Sequence, residues 1–157
     1  HVNYTCWLRQ APQPDADQEQ SPAPIFNASC NDLAYVQINL AIRWHPKGEK
    51  VLFIDRKDTG HSLFEYDLSS GEKRCLLPHS ATDLVFDWSP DGSRLACVTT
   101  NEPPNLKTDG IWICEPDESE WWKVAGSENL IHPDAKSQIN RLRPNRPAWT
   151  KDGQNFV

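Results

Sequence analysis

The chain has 157 residues, enough to bury the core of one ordinary domain, and it carries thirteen prolines, seven tryptophans and no methionine. Proline at this density excludes long helices, since each interior proline removes a hydrogen bond and clashes with the preceding turn. The formal net charge of −6 argues against a general phosphate-binding surface, and no apolar run approaches the roughly 20 residues that span a bilayer, so neither nucleic-acid binding nor membrane insertion is expected.

Opening at His1 without an initiator methionine, the chain reads as a processed or excised piece. Residues 1–35 show no steady period, and Gln10 to Pro24 is polar, acidic and proline-rich, with nothing to bury. An irregular segment or linker is expected there. Cys6 and Cys30 flank it and could be bridged in an oxidising compartment. Asn3-Tyr4-Thr5 and Asn27-Ala28-Ser29 are formal glycosylation acceptors beside them. None of the five cysteines forms a CxxC pair or stands at zinc-finger spacing from a histidine, so no metal site is expected. Cys97 and Cys114 sit inside apolar runs and read as small buried hydrophobes. The balance leans to a reducing, cytoplasmic compartment, with a periplasmic or secreted location left open.

From residue 36 the texture becomes alternating. Ile38, Leu40, Ile42 and Trp44 take every second position, the period of a half-buried strand. The turn His45-Pro46-Lys47-Gly48 leads into Val51-Leu52-Phe53-Ile54, then Ser62 to Asp67, the turn Leu68-Ser69-Ser70-Gly71, and Arg74 to Leu77. The same order returns at Leu84 to Trp88, the turn Ser89-Pro90-Asp91-Gly92, Arg94 to Val98, Gly110 to Cys114 and Trp121 to Val124. A third copy opens at Arg146-Pro147-Ala148-Trp149 and turns at Thr150-Lys151-Asp152-Gly153. In each copy the glycine stands four residues after the tryptophan, as a hairpin that needs a left-handed residue requires. Trp44 and Trp88 are 44 residues apart, the length of one four-stranded blade. The 61 residues from Trp88 to Trp149 include two insertions, Asn101–Asp109 and Ala125–Asn145.

The phrases IRWHPKG, FDWSPDG and PAWTKDG resemble the WD-like repeats of TolB-like β-propellers, with Ile111-Trp112-Ile113 similar to that family's third strand. The first copy departs at His45 and Lys47, and the third has Thr150-Lys151 where the proline falls. The resemblance covers residues 38–157 and implies an all-β fold of about two and a half four-stranded blades (38–80, 83–125 and 146–157 onward) after an irregular N-terminal segment. It also implies that the remaining blades come from the rest of the polypeptide or from another chain, because a closed propeller needs at least four. Related repeats form the gating propeller of prolyl-oligopeptidase-type serine peptidases.

No chemistry-bearing motif accompanies the repeat. There is no G-x-S-x-G elbow, no phosphate loop and no H-E-x-x-H. His45, His61, His79 and His132 are spread over turns and loops, and Asp87 lies between Phe86 and Trp88 on a strand. No catalytic residue and no cofactor is expected. The expected function is a non-enzymatic scaffold whose rim loops dock or gate a protein partner, with Trp121, Trp122, Arg141, Arg143 and Arg146 as candidate anchors. A gating propeller of a serine peptidase, with its catalytic domain beyond residue 157, and a regulatory propeller of a signalling or defence protein are the alternatives.

Overall fold

The computed structural model describes residues 2–8, 23–30, 42–101, 105–116, 120–126 and 147–156, the first two stretches as backbone. All regular elements among them are strands. β1 (Val2–Leu8) and β2 (Ala23–Cys30) form a two-stranded antiparallel ladder. β3 (Arg43–Trp44), β4 (Lys50–Lys57), β5 (Gly60–Asp67) and β6 (Lys73–Cys75) form a four-stranded sheet in chain order. β7 (Asp83–Trp88), β8 (Leu95–Thr100), β9 (Gly110–Glu115) and β10 (Glu120–Gly126) repeat that meander. No helix of the described residues is long and apolar enough to cross a membrane.

The repeat is exact in register. Trp44 pairs with Val51, Trp88 with Leu95 and Trp149 with Phe156, seven residues on in every copy. The third copy is described only as far as this last bridge. Residues 38–41 of the expected first strand, and the insertion after Gly126 up to Arg146, lie outside the described residues.

The N-terminal stretch expected to be irregular holds β1 and β2. β-branched and aromatic residues in Val2-Asn3-Tyr4-Thr5-Cys6-Trp7 suit an extended chain even without alternation. The ladder sets Cys30 opposite Val2 and Cys6 opposite Phe26, so the two cysteines are four rungs apart. That is roughly 13 Å at ~3.3 Å per residue. It exceeds the Cα separation of about 7 Å that a disulfide tolerates.

The core lies between the two four-stranded sheets. The period of two turns Leu52 and Ile54 of β4 towards the second sheet, where they meet Leu84, Phe86 and Trp88 of β7 and Leu95 and Cys97 of β8. Leu77 and Ala81 of the connecting segment close the cluster. Val51 and Phe53 face the other way, with Phe64, Tyr66 and Leu68 around them. β4 is thus buried on both faces, which explains its unbroken Val-Leu-Phe-Ile run. β2 runs beside β4.

Cys97 and Cys114 are fully buried with free thiols, as the apolar runs imply. Burial, and secondarily the neighbouring Cys114, pushes the Cys97 thiol far above its usual range and leaves it inert. Glu65 is also buried, held by Arg74 at 2.8 Å and Lys50 at 3.5 Å. Arg74 reaches on to the Pro116 carbonyl at 3.3 Å and so ties the first sheet to the β9–β10 turn.

Candidate interaction surfaces

Each tryptophan is followed by the same hydrogen-bonded turn. The amide of the residue after the tryptophan donates to a carbonyl five residues on: His45 to Lys50 (2.9 Å), Ser89 to Arg94 (2.8 Å) and Thr150 to Asn155 (2.8 Å). The glycine amide donates back, Gly48 to His45, Gly92 to Ser89 and Gly153 to Thr150. The three glycines have φ of 76°, 75° and 66°, a region that side chains rarely enter. Asp91 Oδ1 accepts from the Ser89 hydroxyl (2.6 Å) and the Ser93 amide (3.1 Å). Those bonds, the Ser89 hydroxyl foremost, hold its carboxyl at about 2. Thr150 takes the place of Ser89 and Asp152 that of Asp91, with the same bonds, so the loss of proline in the third copy leaves the turn intact.

Successive turns also touch. The Lys47 amide donates to His45 Nδ1 (3.1 Å), which leaves Nε2 as the protonated nitrogen, and Nε2 donates to the Gly92 carbonyl at 3.2 Å. The same imidazole stands edge-on to Trp88, centroids 4.7 Å apart. One blade further, the Arg94 guanidinium donates to the Gly153 carbonyl and sits over the Trp149 ring at 5.5 Å. Trp149 Nε1 donates to the Asp87 carbonyl at 3.1 Å. His45 and Arg94, unremarkable in the sequence apart from the former's break with the repeat, are therefore the links from each turn to the next.

The opposite ends of the strands form a rim. β9 pairs Gly110 with Thr99 of β8 and with Gly126 of β10, so the loop before Gly110 and the segment after Gly126 both leave the sheet at this one end. Gly110 is required there: a Cβ would come within 2.2 Å of the Ala125 carbonyl oxygen. The described part of the loop is braced. Buried Asp109 accepts from Asn101 Nδ2 and the Asn105 amide, both at 2.7 Å, and Thr99 donates to the Thr108 carbonyl. Trp112 Nε1 donates to Thr99 Oγ1 and the Thr108 carbonyl, and Lys123 Nζ to the Leu106 carbonyl. His79 packs against Trp112 with the rings tilted by 51° and centroids 4.8 Å apart. Burial, and then the nearby Lys57 ammonium, lowers its pKa.

Of the sequence-derived anchors, Trp121 packs on the inter-sheet core and donates from Nε1 to the carbonyl of Leu76, just after β6 of the first sheet, at 2.8 Å. Trp122, one residue on, faces the other side of the edge strand β10 and is exposed, together with Val124. Leu106 is exposed at the loop tip. Arg141, Arg143, Arg146 and His132 lie outside the described residues. Asp87 lies 4.0 Å from the Arg43 guanidinium, and no group of three or more His, Cys, Asp or Glu converges among the described residues.

No protein-family model matches the sequence, and no curated protein matches it. Solved structures do. TolB from Acinetobacter baumannii superposes with a TM-score of 0.57 at 14% identity, over 87% of this chain and 28% of TolB. An oligogalacturonate lyase in complex with manganese superposes with a TM-score of 0.50 at 13% identity, over 94% of this chain and 39% of the lyase. The chain thus spans between a quarter and two-fifths of the length of these structures, and the likeness, at this identity, concerns the fold. With its two antiparallel four-stranded meanders and the opening of a third, the chain has the all-β fold of a fragment of a TolB-like β-propeller.

Proposed function

We propose that the chain is a non-enzymatic part of a propeller scaffold and docks a protein partner through its rim. One observation carries this reading: both long insertions, 101–109 and the segment after Gly126, leave the second sheet at the same end. Rim loops on a rigid scaffold are where propellers commonly bind. The described part of the loop, 105–109, is held in shape by Asp109 and Trp112, which limits the ordering it loses on meeting a partner. Leu106 is exposed in the loop, and Trp122 and Val124 add exposed apolar area on the edge strand β10. Arg141 and Arg143 in the second insertion, and Arg146 just after it, supply cations, while Trp121 serves as a packing residue of the inter-sheet core.

The test replaces 102–108 and 127–145 by short Gly/Ser links, keeping Thr99, Asp109 and Gly110. A second variant combines Leu106→Ala, Trp122→Ala and Val124→Ala. Both should keep a cooperative unfolding transition and lose at least about tenfold in partner captured, measured by quantitative cross-linking and mass spectrometry. Undiminished capture by both variants overturns the reading.

A further inference from the structure

We infer that the face formed by Trp44 and Gly48 is a docking site for one further W-x-x-x-G hairpin, carried by another blade of the same propeller, which places a nitrogen donor on the Gly48 carbonyl. The interface it would make already occurs twice in this chain. Trp88 is 6% exposed beneath His45 of the preceding turn, and Trp149 lies beneath Arg94 and against the Asp87 carbonyl. Trp44, in the same register, is 49% exposed. A Cβ on Gly92 would strike the His45 imidazole at 2.5 Å, and one on Gly153 would touch Pro90, Ser89 and Asp91 at 3.5 to 3.8 Å. A Cβ on Gly48 would meet nothing within 4 Å. The same side of the same turn is thus covered by a preceding hairpin in two copies and open in the first.

The β1–β2 ladder runs beside β4, and residues 1–47 contain no glycine, so no W-x-x-x-G turn comes from them. A second copy of the chain fits poorly. Its own His45 and Arg94 are engaged on Gly92 and Gly153, and the turn left over, the third, has Thr150 where His45 stands and Asn155 where Arg94 stands. The Thr150 hydroxyl is committed to Asp152 and Asn155 inside its own turn, and an asparagine lacks the reach of an arginine. The occupant is therefore a hairpin with histidine one residue after its tryptophan, or arginine six after it.

The test uses the 157-residue chain labelled with 5-fluorotryptophan, its Trp44 resonance assigned through Trp44→Phe. The probe is a head-to-tail cyclised peptide with the sequence of residues 83–100, which carries the hairpin that covers Trp149. A saturable shift of the Trp44 resonance is expected, with affinity about tenfold weaker for the peptide carrying Arg94→Ala, as for loss of one charge-assisted bond and one cation–π contact. The same hairpin fused ahead of His1 through a Gly/Ser linker should raise the melting point, and its Arg94→Ala form should not. The inference is overturned if the peptide leaves the Trp44 resonance unmoved and the fusion leaves the melting point unchanged, or if both peptides bind alike. Concentration-dependent sedimentation of the chain alone, abolished by Trp44→Ala, would assign the face to a second copy and overturn it as well.

Discussion

Trp44 and Trp88 occupy the same register position of two sheets with the same strand order, and they differ in everything around them. Trp88 is sealed between the sheets, under the His45 ring and against Leu95 and Phe86, whereas Trp44 is half in solvent. The residue type is one, the turn is one, and the backbone bonds of the turn agree within 0.2 Å. What separates the two is the preceding turn. In a quasi-repeating fold each unit buries its apolar face only against its neighbour, so a tryptophan's contribution is a property of the pair.

The largest expected effect breaks the pair by truncation. Trp88→Ala should destabilise the chain by about 3–5 kcal/mol, the range for removing a buried aromatic side chain, since its indole nitrogen has no bonded partner to complicate the loss. Trp44→Ala should cost about 1 kcal/mol, as at a surface position. Urea midpoints of the two variants decide it; equal losses would mean that the Trp44 face is covered in solution.

The turn glycines give a sharper version. Gly48→Ala and Gly92→Ala both force a side chain into left-handed backbone, at about 1 kcal/mol each. Only Gly92→Ala must also displace His45 from its carbonyl, which adds a further ~1 kcal/mol or more. Thermal unfolding should place Gly92→Ala clearly below Gly48→Ala. A smaller loss at Gly92 would remove the turn-to-turn link as a source of stability.

The rim contributes a pH dependence. His79 is neutral in the fold because burial and Lys57 lower its pKa, against Asp109 and the Thr108 carbonyl, which raise it. The folded state therefore binds fewer protons than the unfolded one near the ordinary histidine pKa of about 6.5, and stability present above that pH falls on acidification through it. His79→Phe, which keeps a ring on Trp112, should flatten the fall in melting point between roughly pH 7.5 and 5.5. An unchanged slope would mean that His79 packs against Trp112 without being dehydrated.

The smallest effect is at the turns in acid. The carboxyls of Asp67 and Asp91 are held at about 2 by the hydroxyls of Ser69 and Ser89 and by neighbouring amides. What they contribute is present above the ordinary carboxylate pKa of about 3.9 and fades as the pH falls towards about 2. Asp91→Asn should shallow that acid limb in fluorescence-monitored unfolding and leave neutral-pH stability within about 0.5 kcal/mol. A steeper limb in the variant would show that the turn does not need the charge.

The strand order, the three turns and the burial of Cys97 and Cys114 were legible from residue spacing, because each depends on alternation or on a glycine within five residues of its partner. β1 and β2 were not, since Val2–Leu8 and Ala23–Cys30 carry β propensity without alternation and the acidic stretch between them dominates the composition. The anchor residues divided for a different reason. Trp121 and Trp122 are adjacent and chemically identical, and a strand sends them to opposite faces; which face meets the first sheet depends on where Leu76 stands, 45 residues earlier. His45 looked like a lapse in the motif and is its link to the next turn.

Local chemistry by itself thus determined that this chain makes antiparallel meanders closed by tryptophan–glycine turns, since hairpin bonds join residues close in sequence. The tertiary structure alone decided which turn rests on which, that both insertions depart from one end of the second sheet, and that Trp44 stays open where Trp88 is closed. Those contacts join residues 40 to 60 positions apart, and no period in the sequence records the face a neighbouring sheet will cover.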